Sequence, residues 1–206
     1  MVVDVNREPL TKAALRAAIL ARRRAIPAET RRADAEALAR HLLAAVPAGA
    51  TVCAYVPVGS EPGSLAALDA LTAAGVRVLL PVAREESGQP RPLSWGVYRA
   101  GALVEAPFGL REPAAPWLPA EAIASASIVV VPALAVDVTG IRLGRGAGFY
   151  DRTLGLADPA ARLVAVVRDE ELVDHVPAEE HDVPMTHALT PTRGWVDLVG
   201  GMTRLT

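Results

Sequence analysis

Lysine is almost missing from this 206-residue chain, with Lys12 the only one. Cysteine is as scarce: Cys53 stands alone, which excludes an intrachain disulfide framework and a thiolate zinc site within one chain. It lies in the apolar run Thr51–Val56, where a buried, inert thiol is expected. Aromatic residues make up 4%, so each ring matters to packing. No uninterrupted apolar run is long enough to span a membrane, and Asp4, Arg7, Glu8 and Lys12 break any leader-like stretch. A cytoplasmic protein with no membrane partner is the expectation. Net charge is −2, which gives no global support to a nucleic-acid partner.

What the chain does have is apolar mass. Hydrophobic residues are 51% of it, enough for a substantial core in one domain of ordinary size covering residues 1–206. Its charge is uneven. Residues 1–46 carry nine Lys/Arg against five Asp/Glu, a balance of +4, and the remainder carries twelve against eighteen, a balance of −6. A basic first segment could be a nucleic-acid arm, could bring cations to a phosphate ligand, or could be a solvated helix face.

Periodicity predicts helices over Pro9–Arg24, Ala28–Ala45 and Ser64–Ala74, the last with Ser64 as N-cap and Gly75 as its stop. Strands are expected at Thr51–Val56, Val76–Val82, Pro92–Tyr98, Ile128–Val131, Leu163–Val167 and, last and short, His187–Leu189. The apolar strands lack polar alternation, the pattern of strands buried on both faces. Alternating with helices, they predict a single three-layer α/β domain with a mainly parallel sheet and helices on both faces. Ligands of such sheets sit at the carboxyl ends of strands, which directs attention to the loops after Val56, Val82, Val131 and Val167. The polar segment Arg84–Arg91 reads as a mobile loop.

The densest constellation is Arg142–Arg152. Gly144, Gly146 and Gly148 alternate with Arg145 and Ala147, and Phe149, Tyr150, Asp151 and Arg152 follow. Glycines let backbone approach a ligand, and successive N–H groups in such a turn make an anion nest. A helix beginning near Ala147 and running to Leu154 would aim its positive end at the same point. Arg142, Arg145 and Arg152 can fork onto phosphate oxygens, and Asp151 is a hard ligand suited to Mg²⁺. The spacing is neither a Walker loop nor a dinucleotide fingerprint. Three alternating glycines alone could be a structural turn; with three arginines and an acid they point to a phosphate site.

Other residues admit two readings. Lys12 and Arg16 share a helix face and could reach the same phosphates, though spacing alone favours a surface pair. Glu61 could pair with an N–H edge of a heterocycle; on its own it reads as an exposed turn carboxylate. Asp169–Asp182 holds seven acids and no Lys or Arg, mostly solvated by expectation, with Asp182 a possible second Mg²⁺ ligand. His175 and His181 lack metal-site spacing. Phe108 reads as core, and Trp95 as either core or a stacking face.

From Pro132 to Arg152 the chain resembles, without a gap, the signature of the 5-formyltetrahydrofolate cyclo-ligase family: Pro-x-Leu-Ala-x-Asp-x-x-Gly-x-Arg-Leu-Gly-x-Gly-x-Gly-Phe/Tyr-Tyr-Asp-Arg. Weaker pieces follow in order, at Lys12–Arg16, Tyr55–Glu61, Phe108–Pro113 and Glu180–Asp182. The resemblance implies ATP- and Mg²⁺-dependent cyclisation of 5-formyltetrahydrofolate to 5,10-methenyltetrahydrofolate, with ADP and phosphate released. It implies ATP contacts from Lys12, Ala13, Ala14, Leu15 and Arg16, and from Arg142, Leu143, Gly144, Arg145, Gly146, Ala147, Gly148, Phe149 and Tyr150. Val56 and Glu61 would contact the reduced folate, together with Arg145 to Phe149, and Asp151 and Asp182 would hold Mg²⁺. Arg145 and Asp151 are the residues on which catalysis is expected to depend most. Ala147 stands where many relatives carry Lys or Gly, and Phe149 where Tyr is common. ATP and folate are the expected partners of a chain working as a monomer.

Overall fold

The computed structural model describes residues 11–179 and 182–198, with the Phe108 side chain excepted. Asp4, Arg7, Glu8, Pro9, Glu180, His181 and the ring of Phe108, all named above, therefore lie outside the described residues.

Helix α1, Lys12–Ala25, starts where Thr11 Oγ1 accepts the Ala14 N–H at 3.2 Å and stops before Pro27. Helix α2 follows at Ala28–Ala45, then strand β1 at Thr51–Cys53. Helix α3, Leu65–Ala73, has the expected Ser64 cap, and Gly75 ends it at φ +80°. The strands after it are β2 (Arg77–Val82), β3 (Glu85–Glu86), β4 (Gln89–Pro90), β5 (Ser94–Val97), β6 (Leu103–Ala106) and β7 (Leu110–Pro113). The chain continues through β8 (Ile128–Pro132), β9 (Ala135–Asp137), β10 (Arg142–Leu143) and β11 (Arg162–Val166). It closes with β12 (Leu172–Val173), β13 (His187–Thr190) and β14 (Gly194–Asp197). No helix among the described residues is long and apolar enough to cross a membrane.

The main sheet runs β14–β13–β11–β8–β1–β2–β5. Its five central strands are parallel and both edges antiparallel. Side chains along each strand alternate between two cores, as the pleat requires. Val52, Val78, Leu80, Val130 and Val164 meet Leu38 and Leu42 of α2 and Leu68 and Leu71 of α3 on one face. Cys53, Leu79, Val129, Val131 and Leu163 point to the other, against Ile123, Leu154 and Trp95. That second face is covered by 3₁₀ turns at Ala120–Ser125 and Leu154–Leu156, not by a long helix. Burying each Val or Leu fully stabilises the fold by roughly 1.5–3 kcal/mol, which is why continuous apolar strands occupy the centre. Trp95 is core, fully buried, with its indole N–H on Ala120 O at 3.2 Å. Burial raises the Cys53 thiol well above its usual range, so it is the inert thiol expected.

A smaller sheet, β10–β9–β12, carries α1 on it: Ile19 packs with Leu134, Ala135, Leu143 and Val176. This docking brings Arg16 and Arg23 of α1 towards the loop after β10 and the end of β8.

Three expectations need correction. The polar stretch Arg84–Arg91 is a hairpin, with Ser87 and Gly88 at positive φ in its two-residue turn and an Arg91–Glu86 ion pair at 2.6 Å. The chain leaves β1 after Cys53, ahead of Pro57, rather than running on to Val56. His187–Thr190 is not last, because Gly194–Asp197 turns back to form the edge.

Candidate active site

A cleft of about 390 Å³ opens at the carboxyl ends of β1, β2 and β8. Val56, Val58 and Glu61 line it after β1, Pro81, Ala83 and Glu85 at the end of β2, and Pro132–Leu134 after β8. One wall is Gly144–Asp151 together with Arg142; the other is Leu110–Glu112. Three of the four loops singled out by the strand pattern thus meet in one place.

The glycines of the first wall hold guanidinium groups against the backbone. A β-carbon on Gly146 would meet Arg16 Cζ at 3.5 Å, one on Gly144 would meet Arg142 Nη1 at 3.2 Å, and one on Gly148 would stand 2.5 Å from Arg152 Nη1. Gly146 and Gly148 also have φ of +97° and +76°. The helix expected over Ala147–Leu154 is absent. Instead Thr153 N and Leu154 N both donate to Tyr150 O, and the turn passes into the 3₁₀ segment Leu154–Leu156. Thr153, fully buried, bonds Phe149 O and Leu93 N and pins the turn to the β4–β5 connection. Any anion here is met by loop amides and arginines, without a helix dipole.

Each acid expected at the site is already paired with a cation. Asp151 accepts from Arg142 at 2.5 Å, and Arg142 also lies over the Tyr150 ring at 5.6 Å. Glu61 accepts from Val58 N at 2.9 Å and forms an ion pair with Arg145 Nε at 2.9 Å. It is not an exposed turn carboxylate: its side chain is 11% exposed. Asp182 accepts from Lys12 at 3.0 Å and from Glu179 N at 2.8 Å. Arg16 Nε donates to Gly144 O at 2.9 Å. Lys12 and Arg16 are therefore tied into the loop region and are not a free surface pair. Lys12 and Asp182 stand outside the cleft lining, and Ala13 and Ala14 are exposed. Leu15 packs on the small sheet, and Leu143 is buried in the same core. Among the described residues, no group of three or more His, Cys, Asp or Glu is placed to hold a metal ion alone.

Burial, and then the Glu61 charge, push the phenols of Tyr55 and Tyr150 upward, so both stay protonated donors at neutral pH. Tyr55 uses its proton on Pro62 O at 2.6 Å, fixing the Glu61 loop. Beneath the cleft lies a network that sequence reasoning missed. Arg23 is gripped by Glu171 at 2.7 and 2.6 Å and donates to Ala133 O at 2.7 Å. Arg168 donates to Asp34 at 3.1 Å and Ser60 O at 3.3 Å, while its own N–H meets Glu171 at 2.8 Å. Arg23, Arg168 and Glu171 are 1–3% exposed, against the expectation of solvated charges in the segments that hold Arg23 and Glu171. Glu170 and Asp174 are exposed as expected. Asp169 is held below the usual carboxylate range: burial opposes this, and hydrogen bonds from Thr190, Thr192 and Arg193 outweigh it.

Residues 9–191 match the sequence model of the 5-formyltetrahydrofolate cyclo-ligase family. A 5-formyltetrahydrofolate cyclo-ligase of Mycolicibacterium smegmatis is 61% identical over 92% of this chain and 98% of its own length. One from Escherichia coli K12 is 29% identical over 84% of this chain and 97% of its own. Among solved structures, 5,10-methenyltetrahydrofolate synthetase of Aquifex aeolicus superimposes with a TM-score of 0.73 at 25% identity, covering 91% of this chain and 92% of that one. The Mycoplasma pneumoniae synthetase has the same fold, with a TM-score of 0.66 at 18% identity over 84% and 94%.

Proposed function

The chain belongs to the 5-formyltetrahydrofolate cyclo-ligase family, and from that premise we propose how its cleft works. The reaction is the ATP-dependent cyclisation of 5-formyltetrahydrofolate to 5,10-methenyltetrahydrofolate, with release of ADP and phosphate. An amide oxygen is a poor leaving group. The N5-formyl oxygen attacks the γ-phosphorus, the bond to the β,γ-bridging oxygen breaks, and ADP departs. N10 then attacks the formyl carbon and loses its proton as the C–O bond breaks and phosphate leaves. Such a path needs positioning and charge neutralisation more than a general acid–base pair.

Arg142, Arg145, Arg16 and the amides of Gly144–Phe149 receive the ATP phosphates, with Lys12 adding a cation at the rim and Tyr150 closing the wall. Val56 and Glu61 hold the folate across from them, with Phe149 at the boundary. The observation carrying this reading is the Arg145–Glu61 pair, which joins the phosphate wall to the folate loop across the cleft at 2.9 Å. Substrates would part it, sending Arg145 to phosphate and Glu61 to the N–H edge of the pterin.

Mg²⁺ fits the donor set as a shared ion. Asp151 and Asp182 each spend one oxygen on a cation, and Mg²⁺ commonly takes only one or two carboxylates, with water and phosphate filling the rest. Asp151 would hold it on the cleft side, with Asp182 beside Lys12. When bound, the ion neutralises phosphate charge. The protein is read as acting in the cytoplasm, as a monomer.

Arg145→Ala tests the seam. The methenyl product has its own near-UV absorbance, and formation from 5-formyltetrahydrofolate and ATP should slow by about 10²–10³-fold, the loss typical of one transition-state donor. Activity near wild type would refute the assignment.

A further inference from the structure

Among the described residues, two buried side-chain polar atoms lack a hydrogen-bond partner: Arg23 Nη1 and Arg142 Nε. Both arginines line the same cleft. They also reach the same stretch of wall. Arg23 holds Ala133 O, while the next residue, Leu134, donates its N–H at 2.8 Å to Leu143 O, beside Arg142. A guanidinium has five N–H donors, and Arg23 uses three of them, through Nε and Nη2 on Glu171 and Nη2 on Ala133 O. Both hydrogens of Nη1 remain. A buried charged donor left unpaired is costly, and the two-point grip of Glu171 on the opposite edge argues against a packing accident.

We propose that Arg23 is an oxyanion-binding residue of this cleft. Its Nη1, with Arg142 Nε, receives the phosphoryl group that departs as inorganic phosphate. The identity of the oxyanion rests on the reading given above; the unpaired donors do not. Arg145 must leave Glu61 before it can meet a phosphate, whereas Arg23 keeps its partner: Glu171 holds the Nε–Nη2 edge of the guanidinium, and a ligand reaches the buried Nη1 once the groups covering it shift. The orientation of such a guanidinium is already set when charge arrives.

The test is calorimetric titration of inorganic phosphate, and separately of ADP, into the full chain. Three proteins are compared: wild type, Arg23→Lys, and the double variant Arg23→Gln/Glu171→Gln, which removes the pair without stranding the carboxylate. Lysine can answer Glu171 but cannot serve both edges at once. Thermal melts by circular dichroism identify which variants are folded. Phosphate affinity should fall by at least about tenfold in each folded variant, with ADP affinity within about twofold of wild type. Unchanged phosphate affinity in a folded variant overturns the proposal, as does equal weakening of ADP and phosphate, which would indicate a loosened cleft. Wild type that binds ADP and not phosphate overturns it too. Arg23-dependent phosphate binding without ADP binding would sink the nucleotide reading of the loop and leave Arg23 in place.

Discussion

On the glycine-rich wall Arg145 meets Glu61 with half of the arginine side chain in water; on the cleft floor Arg23 meets Glu171 with neither side chain more than 3% exposed. The residue types are the same and the N···O separations similar, 2.9 Å against 2.6 Å, and the physical consequences are opposite. When the first pair parts, the half-exposed Arg145 side chain meets water and Glu61 keeps its bond from Val58 N, so the pair opens for a ligand at lower cost. The second pair has no water to fall back on, and either partner alone is a stranded charge. The wall is thus built to exchange partners and the floor to keep them, and the floor holds the loops that carry the wall. Arg168 fixes Ser60 O next to Glu61, and Arg23 fixes Ala133 O at the end of β8.

Glu171→Ala should have the largest effect. It leaves Arg23 and Arg168 without their shared acceptor, and the expected loss of stability is about 3–5 kcal/mol, read from the midpoint of urea unfolding. A loss below about 1 kcal/mol would erase the distinction between floor and wall. Asp151→Asn asks the converse. The amide keeps an acceptor for Arg142 and removes the charge, so kcat should fall about 10²-fold while the melting temperature stays close to wild type. A large drop in melting temperature with activity retained would make the Arg142–Asp151 pair structural. Gly148→Ala is intermediate. Its φ of +76° strains alanine by roughly 1–3 kcal/mol, but the nearest obstacle is the end of the exposed Arg152 arm, which can swing away. The strain should appear mainly as an ATP KM raised about tenfold; an unchanged KM would show that the loop tolerates another conformation.

The wall was far more legible than the floor, for physical reasons. Arg142–Arg152 carries its chemistry within eleven consecutive residues, and Ile128–Val131 and Leu163–Val167 announce a two-sided sheet by apolar continuity alone. The helix expected after Gly148 was misjudged because Phe149–Leu154 has ordinary helical composition; Thr153, tied to Phe149 O and Leu93 N, diverts it, and that tie spans sixty positions. Arg23 and Glu171 are 148 positions apart, one in a basic segment and one in an acidic one, and each alone resembles a solvated charge. Nothing local marks either for burial. The same applies to Glu61, whose Val58 and Arg145 partners depend on the loops being brought together. Trp95 went to the core because β5 is held against the Leu118 segment by reciprocal bonds that hydropathy does not encode.

Ala147→Lys should have the smallest effect and refines the contrast most. Ala147 is exposed on the wall, so adding a cation there lengthens the row formed by Arg142 and Arg145 without disturbing a buried contact. A surface charge near a phosphate contributes at most about 1 kcal/mol, and less at high salt. ADP should therefore bind up to about fivefold more tightly at low ionic strength, with the gain fading as salt rises and the melting temperature unchanged. A gain that persists at high salt would require a desolvated contact at position 147, and weaker binding would mean that the row of arginines already saturates the phosphates. The first result would move position 147 from the exchangeable wall towards the rigid class of contact now represented by Arg23; the second would leave it on the wall with no phosphate to meet.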